Sequence, residues 1–204
     1  MFLVELLSKG GMVMFVLLFL SIYVLAVVFY KAYQFYQFKL LDHDFIVKVL
    51  DAWHRDKKQE ALGVAEKTQH PLGRVLAECL SAAGNKKLSD EKRDVWIESV
   101  GNQQFSIIES HLKGLEMVAN VSPLLGLLGT VIGMVKAFSS IEQIGSRVDP
   151  SVLAGGIWEA LLTTVVGLIV AIVALTAHYV LERIADRQRE VLEHTIVHIT
   201  TDKA

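Results

Sequence analysis

Thr130, Glu159, Thr163 and Thr164 lie in two apolar stretches of this chain, where a helix facing only lipid has no need of hydroxyls or a carboxylate. A carboxylate about one turn inside a membrane costs a few kcal/mol on insertion scales, and such a residue faces a cavity or a partner. The chemistry this allows is proton passage, with hydroxyls lining a path and a carboxylate titrating. Around these residues run two stripes of small side chains. Ser122, Gly126, Thr130, Gly133 and Ala137 follow i, i+4, i+8, i+11 and i+15, and Gly129-x-x-x-Gly133 runs beside them. Ala160, Thr164, Gly167, Ala171 and Ala174 make a matching stripe, with Glu159 and Thr163 on its shoulder.

Small residues let helix backbones approach closely in lipid, so the glycines and alanines are read as packing residues. Two readings stand for Thr130 and Thr164: packing, with the hydroxyl satisfied inside its own helix, or the lining of a polar path. Glu159 also has two. Lys136 lies at similar depth, so an ion pair would neutralise both, and this is preferred to proton carriage by Glu159.

Other chemistries find little support. His194 and His198 are spaced i, i+4 and could hold a metal, but no third ligand is evident, so no metal site is expected. His178 reads as an interfacial residue and the single cysteine, Cys79, as a small buried apolar one. Nucleotide-binding glycine loops, cysteine clusters and nucleophile–base spacings are missing. The chain is therefore read as a non-enzyme without a cofactor. The basic residues of its middle segment are mixed with acids, which does not support nucleic-acid binding.

The elements that must position these residues are membrane helices. Of 204 residues, 52% are hydrophobic, too many for an ordinary soluble domain. Three segments, 12–30, 117–140 and 151–181, meet the roughly 20 residues a bilayer core requires. The first is read as a retained anchor, not a signal peptide, because it is long and lacks a small-residue cleavage site. Its bulky residues suit the lipid-facing outside of a bundle.

Lysines and arginines concentrate in 31–116 and 182–204, predicting that both are cytoplasmic, with 1–11 and the loop 141–150 periplasmic. The segment 31–116 is helical in pattern. Pro71 opens a helix that Gly84 ends, with Asn85-Lys86-Lys87 as its turn. Ser89-Asp90-Glu91 starts another, expected to run without a break into the second span as one rod. Asp149-Pro150 is a helix-start pair for the third span. Beyond the membrane that helix shows a mixed face of Leu181, Ile184, Gln188, Val191 and Thr195.

Two segments resemble the MotA/TolQ/ExbB proton-channel family, in its TolQ and ExbB branch. GLLGTVIGM at 126–134 is similar to G-L-x-G-T-V-x-G-I/M, and AGGIWEALLTT at 154–164 to A-P-G-I-A-E-A-L-x-A-T, followed by Gly167-Leu168 and Ala171-Ile172. The specific match covers about a quarter of the chain. Gly155 and Val173 stand where prolines are usual, Thr163 where alanine is, and Lys136 where histidine is frequent.

The resemblance implies an all-α inner-membrane protein of three spans, five copies forming a ring around two single-span partners like ExbD or TolR. The partner's intramembrane aspartate would accept the proton. Thr130 and Thr164 would line its path, Glu159 would be the family's third-helix glutamate, and Pro123, Gly126, Gly129, Gly133, Gly167 and Ala171 would pack around the pore. A TonB-like or TolA-like protein would receive the work. An ExbB-like role in TonB-dependent transport is preferred to a TolQ-like role in the Tol-Pal system. A non-conducting membrane scaffold is the rival of another class.

Overall fold

The computed structural model describes residues 11–40, 42–84, 90–144 and 150–201. It is all-α. Seven helices appear among the described residues: α1 Gly11–Gln37, α2 Asp44–His54, α3 Lys58–Lys67, α4 Pro71–Gly84, α5 Asp90–Ile108, α6 Leu112–Ile144 and α7 Pro150–Thr201. Three of them, α1, α6 and α7, are long and apolar enough to cross a membrane. The expected outer segment, the turn after Gly84 and the Asp149 cap fall in residues outside those described, whereas α7 does begin at Pro150.

The chain divides into two compact units. An apolar unit takes in the chain up to Phe29 and His111–Val180. Here α1 buries Met14, Leu17, Val24 and Val27 along one face, while Phe15, Phe19, Ile22 and Phe29 stay exposed, as lipid contact requires. Gly114 of α6 is a point of close approach, where a Cβ would collide with the Tyr23 hydroxyl. Pro123 sits inside α6 and removes one backbone donor from its ladder.

A polar unit comprises Tyr30–Ser110 and the chain from Leu181 onward. Leu40, Val49, Leu72, Val75, Leu76, Cys79 and Ile108 make its core. The α7 residues Leu181, Ala185, Gln188, Leu192, Thr195 and Ile199 recur every three or four positions and are all buried. Gln188 is fully buried because its amide is used twice. Nε2 donates to the Leu40 carbonyl at 2.8 Å, and Oε1 lies 3.2 Å from His43 Nε2.

The single rod expected across 89–116 does not form. Helix α5 stops at Ile108 and α6 starts at Leu112, with His111 between them at a φ of 68°. Lys31, whose side chain is buried, caps the end of α5. Its ammonium donates to the carbonyls of Ile108 at 2.8 Å and Ile107 at 3.3 Å, to Ser110 Oγ at 2.9 Å and to Gln34 Oε1 at 2.8 Å. The last carbonyls of a helix lack intrahelical partners, and a cation there satisfies them while matching the helix dipole. A contact from 77 positions away thus satisfies the end of α5, where neither proline nor glycine stands.

Candidate functional site

The site lies within the apolar unit, where the N-terminal half of α7 packs on α6. Every position at which these helices touch most closely is small. A Cβ on Gly126 would come within 2.9 Å of the Thr163 carbonyl and of Thr164 Cα, and one on Gly167 within 2.6 Å of the Ser122 carbonyl and 3.1 Å of Gly126 Cα. A Cβ on Gly133 would come within 2.7 Å of Ala160 Cβ, and one on Gly129 within 2.7 Å of Thr163 Cβ. Ser122, Ala171 and Ala174 are buried in the same unit. Backbones this close leave room for hydroxyl-to-carbonyl bonds between the helices.

Those bonds are made by the neighbouring threonines. Thr163 is buried, and its Oγ1 donates to the Gly126 carbonyl at 3.1 Å and to the Ala160 carbonyl at 2.7 Å. Thr164 Oγ1 donates to the same Gly126 carbonyl at 3.1 Å, yet Thr164 is only half-buried. Two hydroxyls therefore converge on one carbonyl. Thr130 behaves differently: its Oγ1 donates to Leu127 of its own helix at 2.6 Å. It lines a separate groove of about 510 Å³ with Met134, Phe138 and Glu142.

Beyond Thr163 the helix pair opens into a cavity of about 460 Å³. Glu159, Lys136, Thr163, Ser140 and the glycines 129, 133, 155 and 156 line it, together with Gly11–Val13 of α1. Glu159 is half-buried and Lys136 exposed. They share the cavity, and among the described residues no ion pair within 4.0 Å joins them. The structure thus brings Glu159, Thr163 and Lys136 to one cavity, puts Thr164 beside them on the Gly126 carbonyl, and keeps Thr130 on another groove. A carboxylate open to a cavity, with hydroxyls one turn deeper, can take up and pass on a proton.

Residues 67–194 match the MotA/TolQ/ExbB proton channel family. This chain belongs to that family. The Synechocystis protein named ExbB-like 1 is 36% identical over 186 residues, covering 89% of this chain and 71% of that protein. Biopolymer transport protein exbB1 of Vibrio cholerae is 34% identical over 115 residues, 56% of this chain and 49% of its own length. The Tol-Pal system protein TolQ of Haemophilus influenzae is 38% identical over 77 residues, 38% and 33% of the two chains. The protein is thus a multi-pass membrane protein of a proton-channel family, which is not an enzyme class.

The family match includes α4, α5, α6 and most of α7, so it takes in both units. Sequence reasoning counted Lys31 merely among the basic residues. A lysine directly after a long apolar run of sequence reads as a flanking charge, and only the packing shows its carbonyl partners. His70 was also missed. Burial pushes its imidazole down to about 4, outweighing the Leu40 carbonyl that favours the charged form. Cys79 is fully buried, and desolvation pushes its thiol up to about 11, so it acts as a packing residue.

Proposed function

We propose that this chain is the channel-forming stator subunit of an inner-membrane motor, using the proton motive force to energise TonB-dependent outer-membrane transport. The observation that carries this reading is the pair of hydroxyls on the Gly126 carbonyl, one turn from a cavity holding Glu159. Membership in a proton-channel family and the likeness to ExbB-named proteins support it. In this reading the polar unit is cytoplasmic, the N-terminus and the loop between α6 and α7 are periplasmic, and five copies form a ring.

Threonines cannot titrate usefully, so a path lined by their hydroxyls needs a carboxylate from elsewhere. An ExbD-like or TolR-like dimer of single-span helices supplies it. Protons enter from outside, load that carboxylate and leave past Thr164 and Thr130. Moving one charge through 100 mV is worth about 2.3 kcal/mol, enough to bias a two-state contact about fiftyfold. Each protonation then changes which subunit the partner touches, and a TonB-like protein carries the work outward.

The likeness to TolQ supports a second reading, a subunit of a Tol-Pal envelope system coupled to a TolA-like protein. Growth of a deletion strain on siderophore-bound iron separates the two. Failure restored by the wild-type gene and not by Thr164→Val is expected for the first reading. Normal growth with detergent sensitivity and periplasmic leakage identifies the second. Rescue by both alleles removes Thr164 from the proton path and favours the scaffold.

A further inference from the structure

The imidazoles of His194 and His198 stand together on α7, within the polar unit, and no part of the proposed function uses them. Both are exposed, and their ring centres are 4.7 Å apart with planes at 60°. Two imidazoles that each bind one ion through a nitrogen at about 2.0–2.1 Å, at a cis angle, have centres about 4.5–5 Å apart. The rings already stand at that separation. Spacing of i, i+4 puts both on one face of a helix, as in helical zinc sites built on two histidines.

The surroundings suit a cation that prefers nitrogen. Glu190 lies one turn before His194 and lines the same groove, with Arg187 and His43 as its other ionisable groups. His43 Nε2 is engaged with Gln188 at 3.2 Å, on another helix from the histidine pair. Among the described residues no group of three His, Cys, Asp or Glu could hold an ion. Among the described residues the site therefore offers two ligands, and water fills the remaining positions.

We propose that His194 and His198 form a bidentate, solvent-open site for a borderline divalent cation, Cu²⁺ binding more tightly than Zn²⁺. Imidazole suits both ions, and the general affinity order places copper above zinc. Binding fastens one turn of α7 to itself and so slows opening of its backbone.

The test is calorimetric titration of the full chain in detergent, without a polyhistidine tag, using Cu²⁺ and then Zn²⁺ in a non-chelating buffer. The expected result is one ion per chain, with His194→Gln and His198→Gln each weakening Cu²⁺ binding at least tenfold and His43→Gln leaving it unchanged. Hydrogen exchange supplies a second readout: Cu²⁺ slows the amides of 190–198 severalfold in the wild type and in neither α7 variant. No saturable binding, binding that survives both α7 substitutions, or binding without slowed exchange would each overturn the proposal.

Discussion

The α6–α7 seam of the apolar unit and the core of the polar unit are both built from helices, yet different residue types hold them together. In the polar unit the core holds large side chains sealed from solvent, Leu72, Leu76, Val75 and Ile108 among them, beside smaller ones such as Ala61 and Cys79. In the apolar unit the closest α6–α7 contacts are glycines and an alanine, with two threonine hydroxyls bridging to a carbonyl. Solvent explains the difference. In water, burying a leucine gains roughly 1.5–3 kcal/mol. Lipid tails are as apolar as leucine, so association there rests on close packing and interhelical hydrogen bonds. The seam that carries the proposed proton path is thus made of parts too small to hold a water-soluble core.

The strongest way to break that contrast is to enlarge the seam. Gly167→Val would push carbon into the Ser122 carbonyl and Gly126 Cα, both backbone, which cannot turn aside. Its penalty should exceed the ~1–3 kcal/mol of ordinary overpacking, and little monodisperse protein should be recovered. Gly155→Ala, where a Cβ meets nothing within 4 Å, should be recovered like the wild type. The reverse experiment in the polar unit is Leu76→Ala, expected to cost about 2–5 kcal/mol through a cavity. Denaturant unfolding followed by the tryptophans of that unit would measure it.

Acid should separate the units next. His70 caps α4, its Nδ1 accepting the Leu72 N–H at 3.2 Å. Its folded pKa of about 4 lies below the roughly 6.5 of an unfolded histidine, so between these values the unfolded chain binds the proton more readily. Stability from this group is complete above about pH 6.5 and falls as pH drops toward 4, by on the order of 3 kcal/mol. His70→Asn keeps a cap acceptor without titrating, and should flatten the acid limb of a melting-temperature profile. Smaller still is Lys31→Met, which leaves the buried Ile108 carbonyl without its cation and should cost about 1–3 kcal/mol. Faster hydrogen exchange at the end of α5 would report it.

These cases show why some of the molecule was legible from sequence and some was not. Spans, the Pro71 and Pro150 helix starts and the small-residue stripes depend on local pattern, and patterns of 3.6 residues survive in a single chain. The break at 109–111 does not, because the partner of its free carbonyls, Lys31, comes from a helix 77 positions away. The site was legible in part. Spacing put Thr130 and Thr164 on equivalent stripes, and in the chain one points back to its own helix while the other reaches across. Rotamer and helix register decide that, and neither is written in residue type. Lys136 and Glu159 share a cavity as their depth suggested, but similar depth does not bring two flexible side chains into contact.

The smallest expected effect sharpens the comparison most. Thr163→Val and Thr164→Val each replace a hydroxyl by a methyl of similar volume, and each removes one donor 3.1 Å from the Gly126 carbonyl. That carbonyl keeps the other threonine in either variant. Interhelical hydrogen bonds in membranes average about 0.6 kcal/mol, so both variants should assemble and unfold almost as the wild type does. A role limited to holding the seam would make the two variants alike in transport as well. Thr163 is 2% exposed, at the inner edge of the Glu159 cavity, whereas Thr164 keeps more of its surface outside the pair. Proton-coupled transport should therefore fall far more in Thr164→Val than in Thr163→Val, measured in the same vesicles with the partner present. Equal losses would place the threonines in the packing of the seam and return the proton path to Glu159 and its cavity.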